Sequence, residues 1–158
     1  LIIKNLPKIG ADVPTCFFSK NVKVEGIGDI VKPLKSLNKK LWILLIKPKT
    51  EYSTKYIFEN FKNSYAKPSN FKFTFNNLIE DMNKHNNSLQ DTVCKLEKNV
   101  KKVIARLSYY KSLTSPRITG SGSAVFVLFN SEEALKVYEN NLDLNTTDYW
   151  IKNSLINL

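Results

Sequence analysis

Two uninterrupted apolar runs, at positions 41–46 and 124–129, dominate the hydrophobic pattern of the chain. Each run is flanked by polar residues, which is typical of central β-strands that are buried on both faces. Lys47 follows the first run, and we expect the strand to end at Pro48. Shorter segments with alternating or mixed patterns predict four further strands, at 22–25, 30–34, 117–119 and 149–151.

Apolar residues at helical spacing predict four helices, at 53–65, 77–85, 89–107 and 131–142. The first is expected to break at 67–70, where a proline follows a lysine. The third advances in steps of mostly three and four residues, which predicts an amphipathic helix of several turns, straight or kinked. In the last, Ser131 is placed to cap the helix. Its expected apolar face comprises Ala134, Leu135, Tyr138 and Leu142.

From position 41 onward the predicted order of elements is β-α-α-α-β-β-α-β. This order indicates an α+β fold, with a mostly antiparallel sheet and helices on one face. Residues 1–38 instead divide into short pieces joined by turns at 10–14 and 26–28. Such pieces are too short to enclose a core alone, so they are interpreted as the end of another sheet. The pattern therefore predicts two domains, at 1–38 and 39–158.

The formal charge of +10 comes almost entirely from lysine, since Arg106 and Arg117 are the only arginines. Bidentate contacts to bases and phosphates are made preferentially by arginine. Lysine and asparagine are both abundant, and AT-rich codons explain both excesses, so we do not expect a nucleic-acid partner. A basic α+β module that binds RNA or a protein, without catalysis, stays open as the second interpretation.

Hydropathy and the number of cysteines indicate in which cellular compartment the protein is expected. No apolar run approaches the ~20 residues of a membrane helix, and the N-terminus lacks the layout of a signal peptide. We therefore expect a cytoplasmic protein in which Cys16 and Cys94 are reduced and buried. The only methionine is Met82, which indicates a chain cut out of something longer.

Three segments contain residues suited to chemistry. Asp12, between Ala11 and a Val-Pro pair, could orient or deprotonate a hydroxyl, or it could simply cap the next helix or turn. Thr54 and Phe58 share a helix face, so they could hold a nucleobase, or serve as a capping Thr and a core Phe. The turn formed by Thr119, Gly120, Ser121 and Gly122 could point backbone N–H groups at an anion.

Several other sites are excluded by the same residues. The glycine turn is followed by a strand and by no Gly-Lys-Ser/Thr, so it is neither a Walker loop nor a dinucleotide fingerprint. His85 is the single histidine and lies among polar residues, where we expect it to be exposed. Without a second histidine or a nearby cysteine, a zinc site has no ligand set, and we expect no metal bound by this chain alone.

Taken in order, three stretches resemble one known family. They are Ile-Gly-Ala-Asp-Val-Pro at 9–14, Glu-Gly-Ile-Gly at 25–28, and Ser-Pro-Arg-Ile-Thr-Gly-Ser-Gly-Ser-Ala-Val-Phe at 115–126. Together they resemble the C-terminal part of the 4-diphosphocytidyl-2-C-methyl-D-erythritol kinase family. That family belongs to the superfamily of galactokinase, homoserine kinase, mevalonate kinase and phosphomevalonate kinase (GHMP kinases).

The resemblance implies a reaction and a set of site residues. The family uses ATP and Mg²⁺ to phosphorylate the 2-hydroxyl of a cytidine-diphosphate-linked methylerythritol in non-mevalonate isoprenoid biosynthesis. By resemblance, Asp12 is the catalytic carboxylate, Thr54 and Phe58 line the substrate site, and residues 119–122 form the glycine-rich loop. Residues 1–38 would be a remnant of the N-terminal ATP-binding domain, and 39–158 the GHMP-type C-terminal domain.

The chain also departs from the family pattern. The long glycine- and serine-rich loop that cradles phosphate at a helix start, and an early lysine, are not among these residues. Ser88 stands where the family usually has Asp, and Asp91 stands where the family often has Pro. We therefore expect a truncated or degenerate member that is not active alone, and a separately encoded N-terminal half as a candidate partner. Residues 1–38 are expected to be less ordered than the rest or to dock on a partner.

Overall fold

The structure is a computed structural model that describes residues 5–10, 12–26, 28, 30–49, 52–65, 72–142, 144 and 147–158. The chain forms two compact units, Leu1–Lys39 together with Leu158, and Lys40–Asn157. The assignment of the first unit to an ATP-binding domain stays a prediction. The predicted helix break at 67–70 lies outside the described residues.

The first unit contains two short helices, α1 (Leu6–Ile9) and α2 (Val13–Phe18), and two strands, β1 (Val22–Glu25) and β2 (Ile30–Pro33). Both predicted strands are confirmed, the second ending one residue early. The predicted turn at 10–14 is wrong in its second half, because Val13 and Pro14 open α2. Proline is tolerated there, since the first helical turn leaves its N–H groups unpaired in any case.

β1 and β2 form an antiparallel hairpin in which Lys23 lies opposite Lys32. Like charges in that position destabilise a strand pair. Glu25 offsets them, because its carboxylate lies 2.8 Å from the Lys23 ammonium and 2.6 Å from that of Lys32. Hydrogen bonds from Lys23 and Lys32 lower the pKa of Glu25 to about 2. Gly26 and Gly28 have positive φ angles of 67° and 98°, as the predicted turn requires.

The second unit is built on a four-stranded sheet in the order β4-β5-β3-β6, with every neighbouring pair antiparallel. The strands are β3 (Lys40–Pro48), β4 (Arg117–Ile118), β5 (Val125–Phe129) and β6 (Tyr149–Asn157). The two apolar runs thus form the central strands, as predicted. β6 is three times longer than the predicted 149–151, because its later residues hold their place through backbone pairing with β3 and carry little hydrophobic signal.

Five helices belong to this unit: α3 (Thr54–Asn60), α4 (Phe75–Lys84), α5 (Gln90–Leu96), α6 (Lys98–Ser108) and α7 (Glu132–Asn141). The helix predicted at 53–65 ends early, since Phe61 has an extended backbone. The helix predicted at 89–107 is two helices, separated at Glu97, whose φ and ψ are −118° and 95°. Ser131 caps α7 as predicted, accepting a hydrogen bond from the Ala134 N–H at 3.2 Å.

The core lies between one face of the sheet and helices α3, α5, α6 and α7. Its buried residues are Leu44, Ile46, Ile57, Leu89, Val93, Val100, Val103, Leu107, Ile118, Val125, Val127, Phe129, Leu135 and Tyr138. The arrangement confirms an α+β sandwich with helices packed on one sheet face. Within the described part of the chain, no helix is long and apolar enough to cross a membrane.

Three burial predictions need correction. The central strands are not buried evenly on both faces, because Ile43, Leu45 and Phe126, which point away from the core helices, are only half-buried. Ala134 is exposed, so the apolar face of α7 is narrower than predicted. Cys16 is exposed on α2, whereas Cys94 is half-buried. Burial raises the pKa of the Cys94 thiol.

Candidate functional site

The glycine turn connects β4 to β5 and is held by two internal backbone bonds. The Thr119 N–H donates to the Ala124 carbonyl at 2.9 Å, and the Gly122 N–H donates to the Thr119 carbonyl at 2.9 Å. Gly120 and Gly122 have φ angles of 55° and 81°, a region in which a residue with Cβ is strained. A Cβ on Gly122 would also collide with the Tyr52 hydroxyl, while the space beside Gly120 is open.

Side chains from two other elements fix the outside of this turn. The Tyr52 hydroxyl donates to the Ser121 carbonyl at 3.3 Å. The Thr54 and Ser121 hydroxyls are hydrogen-bonded to each other at 3.0 Å. The Asn87 amide donates to the Gly120 carbonyl at 2.8 Å and to the Ile118 carbonyl at 3.3 Å. The turn is therefore pinned both to the start of α3 and to the segment before α5.

Thr54 lies beside the turn because of a well-formed helix start. Ser53 is the N-cap of α3, and its hydroxyl accepts a hydrogen bond from the Tyr56 N–H at 3.1 Å. This leaves the Thr54 hydroxyl free of a capping role and able to bond Ser121. The structure thus brings together two of the sequence-predicted segments, Thr54 and the glycine-rich loop, which are 67 residues apart.

Phe58 lies one helical turn after Thr54 and therefore on the same side of α3. Its side chain is 47% exposed, while the neighbouring Ile57 is fully buried. The interpretation of Phe58 as a core residue and of Thr54 as a cap is therefore wrong. An exposed aromatic ring one turn from a hydroxyl and a glycine turn is suited to stacking on a planar ligand.

Asp12 belongs to the first unit, at the N-terminus of α2. Its side chain is exposed and, among the described residues, makes no capping hydrogen bond to that helix. Only the Asp12 carbonyl takes part, accepting from the Cys16 N–H at 3.0 Å. The capping role considered for this carboxylate is therefore wrong, and its catalytic role stays a prediction.

Sequence reasoning missed the residues that hold the turn in place. Besides its two bonds to the turn, Asn87 accepts a hydrogen bond from the Leu89 N–H at 2.9 Å. Gln90 is buried, and its side-chain oxygen accepts from the Ile118 N–H at 3.1 Å. The Asn-Asn-Ser stretch before a helical pattern was an available signal, because such residues bond nearby backbone groups.

Tyr52 was also missed, since a single tyrosine before a helix carries no periodic signal. Burial, with smaller contributions from Glu97 and Cys94, raises the pKa of Tyr52 to about 12. The phenol is neutral at physiological pH, as an unperturbed tyrosine also is, and donates its hydrogen bond to the Ser121 carbonyl. The Tyr52 hydroxyl occupies the space that a side chain at Gly122 would need, so it can pack there only because residue 122 is glycine.

Groups that could bind a metal ion are sparse here. Within the described ranges, no three His, Cys, Asp or Glu side chains gather in a way that could hold an ion. His85 is exposed, as expected, and its nearest acidic neighbour is Asp81, one turn back on α4. What the turn offers is a set of neutral donors and acceptors, the hydroxyls of Thr54 and Ser121, which suit phosphate or sugar oxygens.

Residues 68–143 match the family described as GHMP kinases C terminal. Two similar curated proteins are the 4-diphosphocytidyl-2-C-methyl-D-erythritol kinases of Buchnera aphidicola subsp. Schizaphis graminum and Chromobacterium violaceum, each 35% identical. These alignments cover 80% and 83% of this chain but 40% and 44% of the relatives. A Wolbachia pipientis protein of the same name is 28% identical, over 92% of this chain and 51% of its own length.

Two solved structures share the fold. A 4-(cytidine 5'-diphospho)-2C-methyl-D-erythritol kinase superposes with a TM-score of 0.64 at 19% identity, over 97% of this chain and 56% of that one. A homoserine kinase from Cytophaga hutchinsonii gives a TM-score of 0.59 at 18% identity, over 93% and 52%. The chain spans about half the length of the curated relatives it matches.

We expect a Cβ at Gly122 to be far more damaging than one at Gly120. Both positions have positive φ, so each Gly→Ala change costs about 1 kcal/mol in backbone strain. Only Gly122→Ala adds the clash with the Tyr52 hydroxyl. Urea unfolding should therefore give a larger loss of unfolding free energy for Gly122→Ala than for Gly120→Ala.

The clash itself can be isolated by a double-mutant cycle. In a Tyr52→Phe background the hydroxyl is gone, so the extra cost of Gly122→Ala should shrink while that of Gly120→Ala stays the same. Equal costs for the two alanines in the unmodified chain would show that the tyrosine does not pin the turn.

Proposed function

We propose that this chain, whose residues 68–143 match the family described as GHMP kinases C terminal, supplies the substrate-facing part of an ATP-dependent kinase for 4-diphosphocytidyl-2-C-methyl-D-erythritol. The relatives at 28–35% identity have that name. The observation that carries the proposal is the hydrogen bond between Thr54 and Ser121, which joins the helix that displays Phe58 to the glycine-rich loop.

Recognition of the cytidine end is assigned to the exposed face of α3. The half-exposed ring of Phe58 offers a flat apolar surface to a pyrimidine, and stacking a base on an aromatic side chain contributes about 1–3 kcal/mol. Thr54 lies one turn away on the same face. It is within reach of a sugar or phosphate oxygen of a nucleotide whose base stacks on Phe58. Stacking alone is tolerant of base identity, so specificity for cytosine requires further polar contacts.

The glycine-rich loop is assigned to the diphosphate and transfer region. Phosphoryl transfer is mainly positioning together with stabilisation of charge on the phosphate oxygens. A turn without side chains at residues 120 and 122 lets a phosphate approach the backbone closely. The bonds from Tyr52 and Asn87 hold that turn in one conformation before a ligand arrives, which lowers the entropy lost on binding.

Asp12 is assigned to the substrate hydroxyl, by resemblance to the family. A carboxylate near that hydroxyl would orient it and accept its proton as the phosphate is attacked. ATP is the phosphate donor of the proposed reaction. Since the described residues do not gather a carboxylate set for Mg²⁺, no step is assigned to a metal held by this chain.

In this proposal, these 158 residues bind the substrate, and residues outside them bind the ATP triphosphate. The phosphate cradle that the family places at a helix start is not encoded in these 158 residues. We therefore expect the ATP triphosphate to be bound by residues outside them, in the same polypeptide or in a separate one. On its own, the 158-residue chain is expected to bind the cytidine-diphosphate end of the substrate without transferring phosphate.

Replacing Phe58 tests the assignment of the cytidine end. We expect Phe58→Ala to weaken binding of cytidine diphosphate to the chain by about tenfold, because it removes a stacking surface. Isothermal titration calorimetry with cytidine diphosphate measures the change. Tyr56→Ala is the matched control, since Tyr56 is 46% exposed on the same helix but two positions away, on a different face. No binding by the unmodified chain, or an equal loss in both variants, would contradict the assignment.

Turnover tests whether these 158 residues transfer phosphate on their own. The purified chain, incubated with ATP, Mg²⁺ and 4-diphosphocytidyl-2-C-methyl-D-erythritol, is expected to release no ADP above the rate without substrate, because the phosphate cradle of the family is not among these 158 residues. A coupled ADP assay is sufficient. ADP release that depends on the substrate and disappears in Asp12→Asn would overturn this part of the proposal while supporting the role of Asp12.

A further inference from the structure

β6 is a nine-residue strand at the edge of the sheet. It pairs with β3 over an unbroken register from Lys40 opposite Asn157 to Pro48 opposite Tyr149, and β3 is paired on its other side with β5. No residue of β6 is buried. Two of its side chains, Trp150 and Leu155, are among the large exposed apolar groups of the molecule, at 48% and 40%. Such an edge is a template for a further strand.

The alternation of hydrogen-bonded and non-hydrogen-bonded pairs between β3 and β6 identifies the backbone groups of β6 that face away from the sheet. The Lys49 N–H donates to the Asp148 carbonyl at 3.1 Å, so this pair is a hydrogen-bonded one in the β3–β6 register. Antiparallel ladders alternate bonded and non-bonded pairs. The even-numbered residues of β6 therefore bond to β3, and the odd-numbered ones point their N–H and C=O outward: Tyr149, Ile151, Asn153, Leu155 and Asn157.

These outward groups are largely unsatisfied within the described part of the chain. The one partner that the structure gives them there is the Ser154 hydroxyl, which donates to the Leu155 carbonyl at 3.3 Å and leaves that oxygen a second lone pair. The edge also lacks the usual protections against pairing. It has no proline and no bulge, and Lys152 is its single charged residue.

The sequence of β6 is complementary to itself when it runs antiparallel about Asn153. Odd residues then face odd residues, so the outward backbone groups of both strands meet as hydrogen-bonded pairs. Leu155 lies opposite Ile151 of the second copy, and Trp150 lies opposite Ile156. Each exposed apolar group thus gains a branched aliphatic partner, and Lys152 faces Ser154.

Neighbouring registers are worse. A centre at Lys152 would place this lysine directly opposite its own copy, which is destabilising. A centre at Ser154 would leave Tyr149 and Trp150 outside the paired segment. Asn153 is already oriented for the central position, because its amide donates to the Glu139 carboxylate on α7, at 2.8 and 3.1 Å. That contact holds the side chain on the helix side of the sheet, away from the strand edge.

We propose that two copies of this chain pair through β6, antiparallel and centred on Asn153, to form a continuous sheet across a two-fold axis. A symmetric interface of this kind is self-complementary by construction. Each copy has a formal charge of +10, so long-range repulsion opposes the association. The dimer should therefore strengthen as salt screens this repulsion, in contrast to a complex held by charge pairs.

Cysteine cross-linking tests the register in the full 158-residue chain, with the exposed Cys16 replaced by serine. In the proposed pairing, the two copies of residue 153 face each other as a hydrogen-bonded pair with Cα atoms ~5.5 Å apart, within the range that a disulfide spans. Asn153→Cys should therefore give a covalent dimer on mild oxidation. Ser154→Cys, one residue away and facing Lys152 of the other copy, should remain mostly monomeric on a non-reducing gel.

A charge substitution tests the same interface without covalent chemistry. Leu155→Lys places a charge against Ile151 of the partner copy at two symmetric positions, and it should raise the dimer dissociation constant about tenfold or more. Val137→Lys, on α7 at a 63% exposed position, is the control that adds the same charge elsewhere. Sedimentation velocity in low and high salt measures both, with circular dichroism to verify folding.

The outcomes separate clearly. A dimer that strengthens with salt, is weakened by Leu155→Lys but not by Val137→Lys, and is cross-linked at position 153 supports the proposal. A chain that stays monomeric to about 1 mM, or a dimer indifferent to Leu155→Lys and not cross-linked at 153, overturns it. So does capture of the β6 edge by a different polypeptide in preference to a second copy.

Discussion

The contact between Tyr52 and the glycine turn is the constraint on which the candidate site depends. A phenol on the segment before α3 occupies the space that a side chain on Gly122 would need, and it donates to the carbonyl of Ser121. Burial raises the pKa of this phenol further above physiological pH, where a tyrosine is neutral and can donate this bond. Thr54 and Asn87 then fix the turn from two further directions. Without this pinning, the loop would have no defined separation from Thr54 and Phe58, which α3 holds one turn apart.

The sheet explains how residues so distant in sequence reach this place. β3 and β5 are central and adjacent, and the end of β3 leads to Tyr52 while the glycine turn leads into β5. Both segments therefore arrive at the same end of the sheet. The buried core behind them, from Leu44 to Tyr138, makes this end rigid. A rigid scaffold that presents a pinned loop is the usual way in which binding residues are held by a fold.

Much of this architecture could be predicted from the sequence, for physical reasons that differ by element. The runs at 41–46 and 124–129 predicted the central strands correctly, because short runs of consecutive apolar residues favour strands with neighbours on both sides, although Ile43, Leu45 and Phe126 are only half-buried. Ser131 identified the start of α7, since its hydroxyl can bond the third residue of the helix. β6 was underestimated because an edge strand is specified by backbone pairing, which leaves little mark on side-chain hydrophobicity. The break at Glu97 was invisible because the apolar spacing continues across it on the same face.

The candidate site was predicted in part for the same reason. The two glycines indicated a turn because glycine tolerates positive φ, which both adopt, and helical spacing placed Thr54 and Phe58 on one face. Tyr52, Asn87 and Gln90 act through hydrogen bonds to a distant backbone, and local sequence does not identify the distant partner of such a bond. The relation of Asp12 to these residues is likewise not a property of local sequence, so its role comes from family resemblance alone.

We propose that the exposed face of α3 and the glycine turn form one binding surface for a cytidine diphosphate. The most direct test is a titration of the ¹⁵N-labelled chain with cytidine diphosphate, followed by the amide shifts in nuclear magnetic resonance. If α3 and the turn form one surface, the amides of Thr54, Phe58 and residues 119–122 should shift together with one dissociation constant, while the β6 amides should not shift. Shifts confined to the lysine-rich surfaces, or separate dissociation constants for α3 and the turn, would contradict it.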